Sequence, residues 1–144
     1  MNINDPLKIT PQWLAGFFDG EGCVSGNFRT DGGTSIGVSI TQTDPIIIGY
    51  ICSMFPGGNV IKREPNTGGF HRKSCFTIKW ANGHAEAFLL FIRDHVILKN
   101  KQVELAIKFI PLVGSMGVNA PENIKTERAN ILKEIMEQNQ GRII

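Results

Sequence analysis

The chain has 144 residues and a mass of 15.9 kDa, the size of one ordinary domain. Hydrophobic residues make up 42% and charged residues 19%, which excludes a disordered chain; the longest apolar run, Ala87 to Ile92, is far too short to span a membrane. The net charge is only +2, but residues 61–110 carry nine Lys and Arg against four acids, a local +5 that suits either a phosphate-binding surface or an ordinary solvated face.

Thr10-Pro11 opens a helix, with a hydroxyl cap followed by proline at the first helical position. Trp13, Leu14, Phe17 and Phe18 continue it at helical spacing up to Gly20 and Gly22. Cys23 to Arg29 then alternates, with Val24, Gly26 and Phe28 on one side and Ser25, Asn27 and Arg29 on the other. A turn at Thr30 to Thr34 leads into Ser35 to Thr41, where Ile36, Val38 and Ile40 face inward. Asp44-Pro45 repeats the cap-and-proline signal before Ile46, Ile47, Ile48, Tyr50, Ile51, Met54 and Phe55, a largely buried helix that Pro56-Gly57-Gly58 ends. Val60 to Glu64 and His71 to Trp80 form a second hairpin around Pro65 to Gly69. Asn82-Gly83 opens the next helix, through Phe88, Leu89, Phe91 and Ile92. Lys99 to Val113 reads as another, ended near Pro111, and after a loop at Gly114-Ser115-Met116-Gly117 a last amphipathic helix runs from Pro121 to Gln138.

The order α-ββ-α-ββ-α-α-α implies an α+β fold with an antiparallel four-stranded sheet and helices over its apolar face. One domain is expected over residues 1–144, with a core at about 10–113 and a C-terminal helical extension at about 118–140. The second face of the sheet is polar. It carries Ser25, Asn27, Arg29, Ser35, Ser39, Thr41, Lys62, His71, Lys73 and Thr77, with Glu64 at its margin. Such a face is ordinarily solvated, but these groups also hydrogen-bond base edges, and a two-stranded ribbon fits the major groove.

Cys23, Cys52 and Cys75 match no zinc spacing and cannot all pair, which points to a reducing, intracellular compartment. The N-terminal residues show no secretory signal. No phosphate-binding loop, His-Glu-x-x-His or Gly-x-Ser-x-Gly string is present.

The string Leu14-Ala15-Gly16-Phe17-Phe18-Asp19-Gly20-Glu21-Gly22 needs a separate account. A glycine inside a helix costs about 1 kcal/mol relative to alanine. Gly16 and Gly20 are four apart, so they share one stripe and let another backbone approach. Asp19 and Glu21 stand between glycines where the helix must end, where a carboxylate can bind a hard divalent cation. Taken alone, Asp19-Gly20-Glu21-Gly22 reads first as a helix stop with a solvated acidic turn.

The nine residues closely resemble the signature of the LAGLIDADG homing endonucleases, and the order of hairpins and helices is similar to that family's α-ββ-α-ββ-α core, with its curved sheet and DNA on the face opposite the helices. The resemblance covers the chain to about Val113. One copy of the motif implies the homodimeric type, with Leu14, Gly16, Phe17, Asp19 and Gly20 at the helix–helix contact. It further implies that Glu21 is the catalytic, metal-binding acid and that the Gly20 carbonyl adds a ligand to Mg²⁺ or another divalent cation. Gln42 matches a glutamine that orients the attacking water, and Lys99 a basic residue near the scissile phosphate. Outside the resemblance, Gln42 reads as a strand end and Lys99 as a solvated helix start. The implied activity is intron-encoded, sequence-specific cleavage of double-stranded DNA at a long, roughly palindromic site. The alternative is a non-cutting relative that binds DNA or intron RNA, such as a splicing factor; the retained Glu21 favours the nuclease. The chain departs from some members at Pro45-Ile46-Ile47-Ile48, where they carry a further basic residue.

Overall fold

The computed structural model describes residues 8–65, 73–113 and 119–141. Helix α1 spans Pro11–Glu21, strand β1 Gly22–Phe28, β2 Thr34–Gln42, α2 Pro45–Met54, β3 Asn59–Arg63 and β4 Cys75–Ala81. A 3₁₀ turn at Asn82–Ala85 leads into α3, Glu86–Ile92, followed by α4, Asn100–Val113, and α5, Glu122–Gln140. The element order is the expected one. His71, the turn at 66–69 and the loop at 114–117 lie outside the described residues.

Both caps form as their sequences require. The Thr10 hydroxyl accepts the Trp13 N–H at 3.1 Å, and the Asp44 carboxylate accepts the Ile46 N–H at 2.8 Å. The four strands pair antiparallel in the order β1-β2-β4-β3. One face is apolar: Val24, Ile36, Val38, Ile40, Ile78 and Trp80 are all buried against the helices. Phe18, Phe55, Phe88 and Trp80 form the aromatic centre, with Trp80 stacked on Phe88 at 4.7 Å and its indole N–H donated to the Phe55 carbonyl at 2.8 Å. Leu132 and Ile135 of α5 close the same core, so the last helix completes the fold.

Two expectations need correction. Helix α2 buries only Ile48 and Ile51 fully and leaves Ile46 63% exposed, because a helix lying on a sheet turns one stripe inward whatever its total apolar content. Phe28, expected to face inward, is exposed at the end of β1, beyond the cover of the helices. Helix α4 ends at Val113, as its sequence predicts, and the buried Arg128 of α5 closes it by donating to the carbonyls of Leu112 at 2.6 Å and Val113 at 3.0 Å.

Candidate active site and nucleic-acid interface

The nine-residue string forms the second half of α1 and its exit into β1. Leu14, Ala15 and Phe18 point into the core. The opposite stripe, Trp13, Gly16, Phe17 and Gly20, faces outward; Trp13 and Phe17 stack at 5.0 Å, and nothing lies within 4 Å of where a side chain on Gly16 or Gly20 would begin. Leu14, expected at a helix–helix contact, is therefore a core residue, and Trp13 holds the outward position: the 3.6-residue helical period decides the face, not membership in the motif. The final Gly22 has a steric reason. A Cβ there would overlap the Phe18 ring, so only glycine lets the chain turn from helix into strand across that side chain.

Asp19 is half-buried, and its two carboxylate oxygens take the backbone N–H groups of Ile97 (2.8 Å) and Lys99 (3.0 Å). The Lys99 ammonium returns to the Asp19 carbonyl at 2.6 Å and lies 6.0 Å from the centre of the Phe18 ring. The entry to α4 is thus clamped to the tip of α1, and a cation sits two residues from Glu21. Glu21 itself is exposed at that tip and holds no hydrogen bond or ion pair among the described residues. Gln42 ends β2 nearby: Ile40 pairs with Gly22, and Gln42 lies two residues further along the same face. Its carbonyl oxygen accepts the Thr43 N–H (2.7 Å) and hydroxyl (3.1 Å), which leaves the amide NH₂ to donate.

The Glu21 carboxylate and Gly20 carbonyl are hard oxygen donors of the kind that suit Mg²⁺, which is commonly held by one or two carboxylates plus substrate phosphate. Among the described residues no three acidic, His or Cys side chains gather into a complete metal cage. The donor set fits a site finished by a second carboxylate and a phosphate.

The polar sheet face is continuous. Cross-strand partners share a face, so Cys23, Ser25, Asn27, Ser35, Ser39, Thr41, Thr77 and Lys79 lie together, with the Thr41 and Thr77 hydroxyls bonded at 2.7 Å. Lys73 is exposed just ahead of β4. Gly37 leaves room for the Lys79 side chain to cross the sheet beside Ser25. Arg29 extends this face but pairs with Asp31 at 2.9 Å. Register overturns one expectation. Ile61 pairs with Thr77, whereas Lys62 pairs with Phe76, so Lys62 lies on the helix side and forms an ion pair with Glu64 at 2.9 Å. The residues of β3 on the polar face are Asn59, Ile61 and Arg63, which sequence reasoning missed. The run Asn59-Val60-Ile61-Lys62-Arg63-Glu64 does not alternate, so its phase had no local signal.

Comparison with solved structures finds the same fold. The homing endonuclease I-CvuI, in complex with its target in the presence of calcium, superimposes with a TM-score of 0.72 at 21% identity over 99% of this chain and 88% of its own. The chain has the LAGLIDADG homing endonuclease fold. An archaeal intron-encoded homing endonuclease, I-Vdi141I, complexed with DNA, gives 0.68 at 17% identity over 89% and 82% of the two chains. The LAGLIDADG homing endonuclease I-SmaMI, bound to cleaved DNA, gives 0.65 at 20% identity over 89% of this chain but 43% of its own. No protein-family model and no curated protein sequence matches the chain. In the LAGLIDADG fold seen here the sheet presents its polar face away from the helices, and no helix among the described residues is long and apolar enough to cross a membrane.

Proposed function

We propose that the chain is a sequence-specific, divalent-metal-dependent DNA endonuclease that cuts both strands as a homodimer. The observation that carries this reading is the clamp between Asp19 and Lys99, which fixes an ammonium on the tip of a helix that also carries the exposed Glu21 and whose outer stripe is Trp13, Gly16, Phe17 and Gly20. Two copies packed on that stripe bring two Glu21 tips together. The chain covers 88% of I-CvuI but under half of I-SmaMI, a chain long enough for two such units, which supports a protomer that works in pairs.

Glu21 and the Gly20 carbonyl would hold the cation, one set from each protomer. When bound there, the cation would supply polarisation of the phosphate, a lowered pKa for the attacking water and support for the leaving oxygen. Lys99 stabilises negative charge as it develops on the phosphate. The Gln42 amide orients water at the end of β2. The polar sheet face reads bases in the major groove, with Asn27 suited to adenine and Arg63 to guanine. I-CvuI and I-Vdi141I, each solved in complex with its target or with DNA, support DNA as the substrate.

The test is incubation of the protein and Mg²⁺ with a DNA library of candidate intron-insertion sites, beside Glu21→Gln. Site-specific cutting that Glu21→Gln abolishes upholds the reading. Cutting that survives in Glu21→Gln removes the catalytic assignment, and tight RNA binding without DNA cutting identifies a splicing factor. A free protein that stays a single 15.9 kDa chain at all concentrations overturns the dimer.

A further inference from the structure

At the far end of the sheet from Glu21, the β1–β2 turn, the 3₁₀ turn, the end of α4 and the start of α5 surround a cavity of about 160 Å³. Three cationic side chains line it: Arg29, Lys125 and Arg128. No carboxylate is among its described lining residues. Asn82 adds a donor. Its carbonyl oxygen is taken by the Ile36 N–H at 2.9 Å, so the amide NH₂ remains, and the residue holds a positive φ of 49° to stand there. The Thr34 hydroxyl completes the polar wall, and Gly32 and Gly33 leave the turn side of the cavity without side chains.

The two acids near these cations stand outside the lining. Arg29 pairs with Asp31 on the exposed turn, and Lys125 reaches Glu122 only at 3.8 Å, with that glutamate 90% exposed. Arg128 differs: it is buried, and the Leu112 and Val113 carbonyls are among its partners, so its guanidinium is positioned by the core and not by solvent. A pre-placed guanidinium, a second guanidinium, an ammonium and an amide converging on one concave space are the donor set that a tetrahedral phosphate oxyanion requires.

The geometry points to a phosphate-binding site here, occupied in the nucleoprotein complex by a backbone phosphate of the DNA. This rests on the DNA-binding reading above. Arg29 is seven residues along the chain from Gly22, about 23 Å at the rise of an antiparallel strand, or roughly seven base-pair steps if the duplex follows the strands. The site anchors the outer end of each half-site without reading its bases.

The experiment uses the full chain and Lys125→Ala, with Lys125→Arg as the conservative control; Lys125 lies on the solvent side of α5, and a thermal melt checks the fold. Inorganic phosphate titrated into the free protein should shift the amide resonances of Gly32, Gly33, Thr34 and Lys125, with affinity falling several-fold in Lys125→Ala and restored in Lys125→Arg. Lys125→Ala should also weaken binding to target and scrambled DNA alike and reduce the salt slope of log K by about 0.9. Phosphate-induced shifts with an unchanged salt slope assign the site to a free oxyanion and overturn the DNA contact. Absence of any phosphate-induced shift at these amides overturns the site. A protein that binds phosphate here yet binds no DNA at all refutes the endonuclease reading and leaves the site standing.

Discussion

Asp19 and Lys99 hold each other twice across 80 residues of chain: the Lys99 backbone N–H donates to the Asp19 carboxylate at 3.0 Å, and the Lys99 ammonium donates to the Asp19 carbonyl at 2.6 Å. The second carboxylate oxygen takes the Ile97 N–H at 2.8 Å. Each bond satisfies a group that a helix end leaves open, the α1 carbonyl in one direction and the N–H groups ahead of α4 in the other. Hydrogen bonds to charged groups contribute about 1.5–3 kcal/mol each. Asp19→Asn replaces one acceptor with a donor facing a donor. A loss of about 2–3 kcal/mol in urea unfolding is expected, with cleavage lowered as α4 shifts from the α1 tip; unchanged stability would remove the clamp.

Lys99→Met keeps the length of the side chain and removes its charge. Its stability should fall by about 1–2 kcal/mol, less than a domain of this size needs to unfold. DNA cleavage should fall about 10²–10³-fold, the usual loss when a donor to developing negative charge is removed. Single-turnover cleavage on a fixed target, compared with a melt of the same sample, separates the two effects.

The glycines of the motif should behave oppositely. Gly16→Ala meets open space in the protomer and gains helix propensity, so monomer stability should hold or rise by up to about 1 kcal/mol while self-association weakens. Gly22→Ala drives a methyl into the buried Phe18 ring and should destabilise the protomer by about 1–3 kcal/mol or more. Sedimentation and denaturant unfolding measured on both variants check the pair.

The register of β3 makes a prediction about specificity. Arg63 shares a face with Cys75 and Thr77, and Lys62 with Phe76. Arg63→Ala should relax base preference at one position of the target by about 1–3 kcal/mol, and Lys62→Ala should leave the preference profile unchanged. Cleavage of a randomised target library reads both outcomes.

Glu64 gives a pH test of the same hairpin. Hydrogen bonds from Lys62 and Ser74, and the Lys62 charge, lower its carboxyl pKa below the usual glutamate value. A lowered folded pKa stabilises the fold above the unfolded pKa, and the contribution disappears as pH falls through the folded value. The group is fully exposed, so salt screens the effect. An NMR titration of the Glu64 carboxyl should show the lowered value rise toward the ordinary one in Lys62→Ala and in 1 M salt, with the Ser74 hydrogen bond retaining part of the shift.

Local pattern carried most of the fold. The caps at Thr10 and Asp44, the period-two runs of β1 and β2 and the glycine-punctuated helix end are short-range steric and hydrogen-bonding features, so each is legible within a few residues. Tertiary packing decided what no window contains. Which side of α1 is inward, and hence that Leu14 is core and Trp13 surface, depends on where the sheet lies. The phase of β3 came from pairing with β4, because its own residues do not alternate. The docking of Lys99 on Asp19 and the closure of α4 by Arg128 join segments 80 and 16 residues apart, and hydrogen bonds of that range leave no periodicity to read.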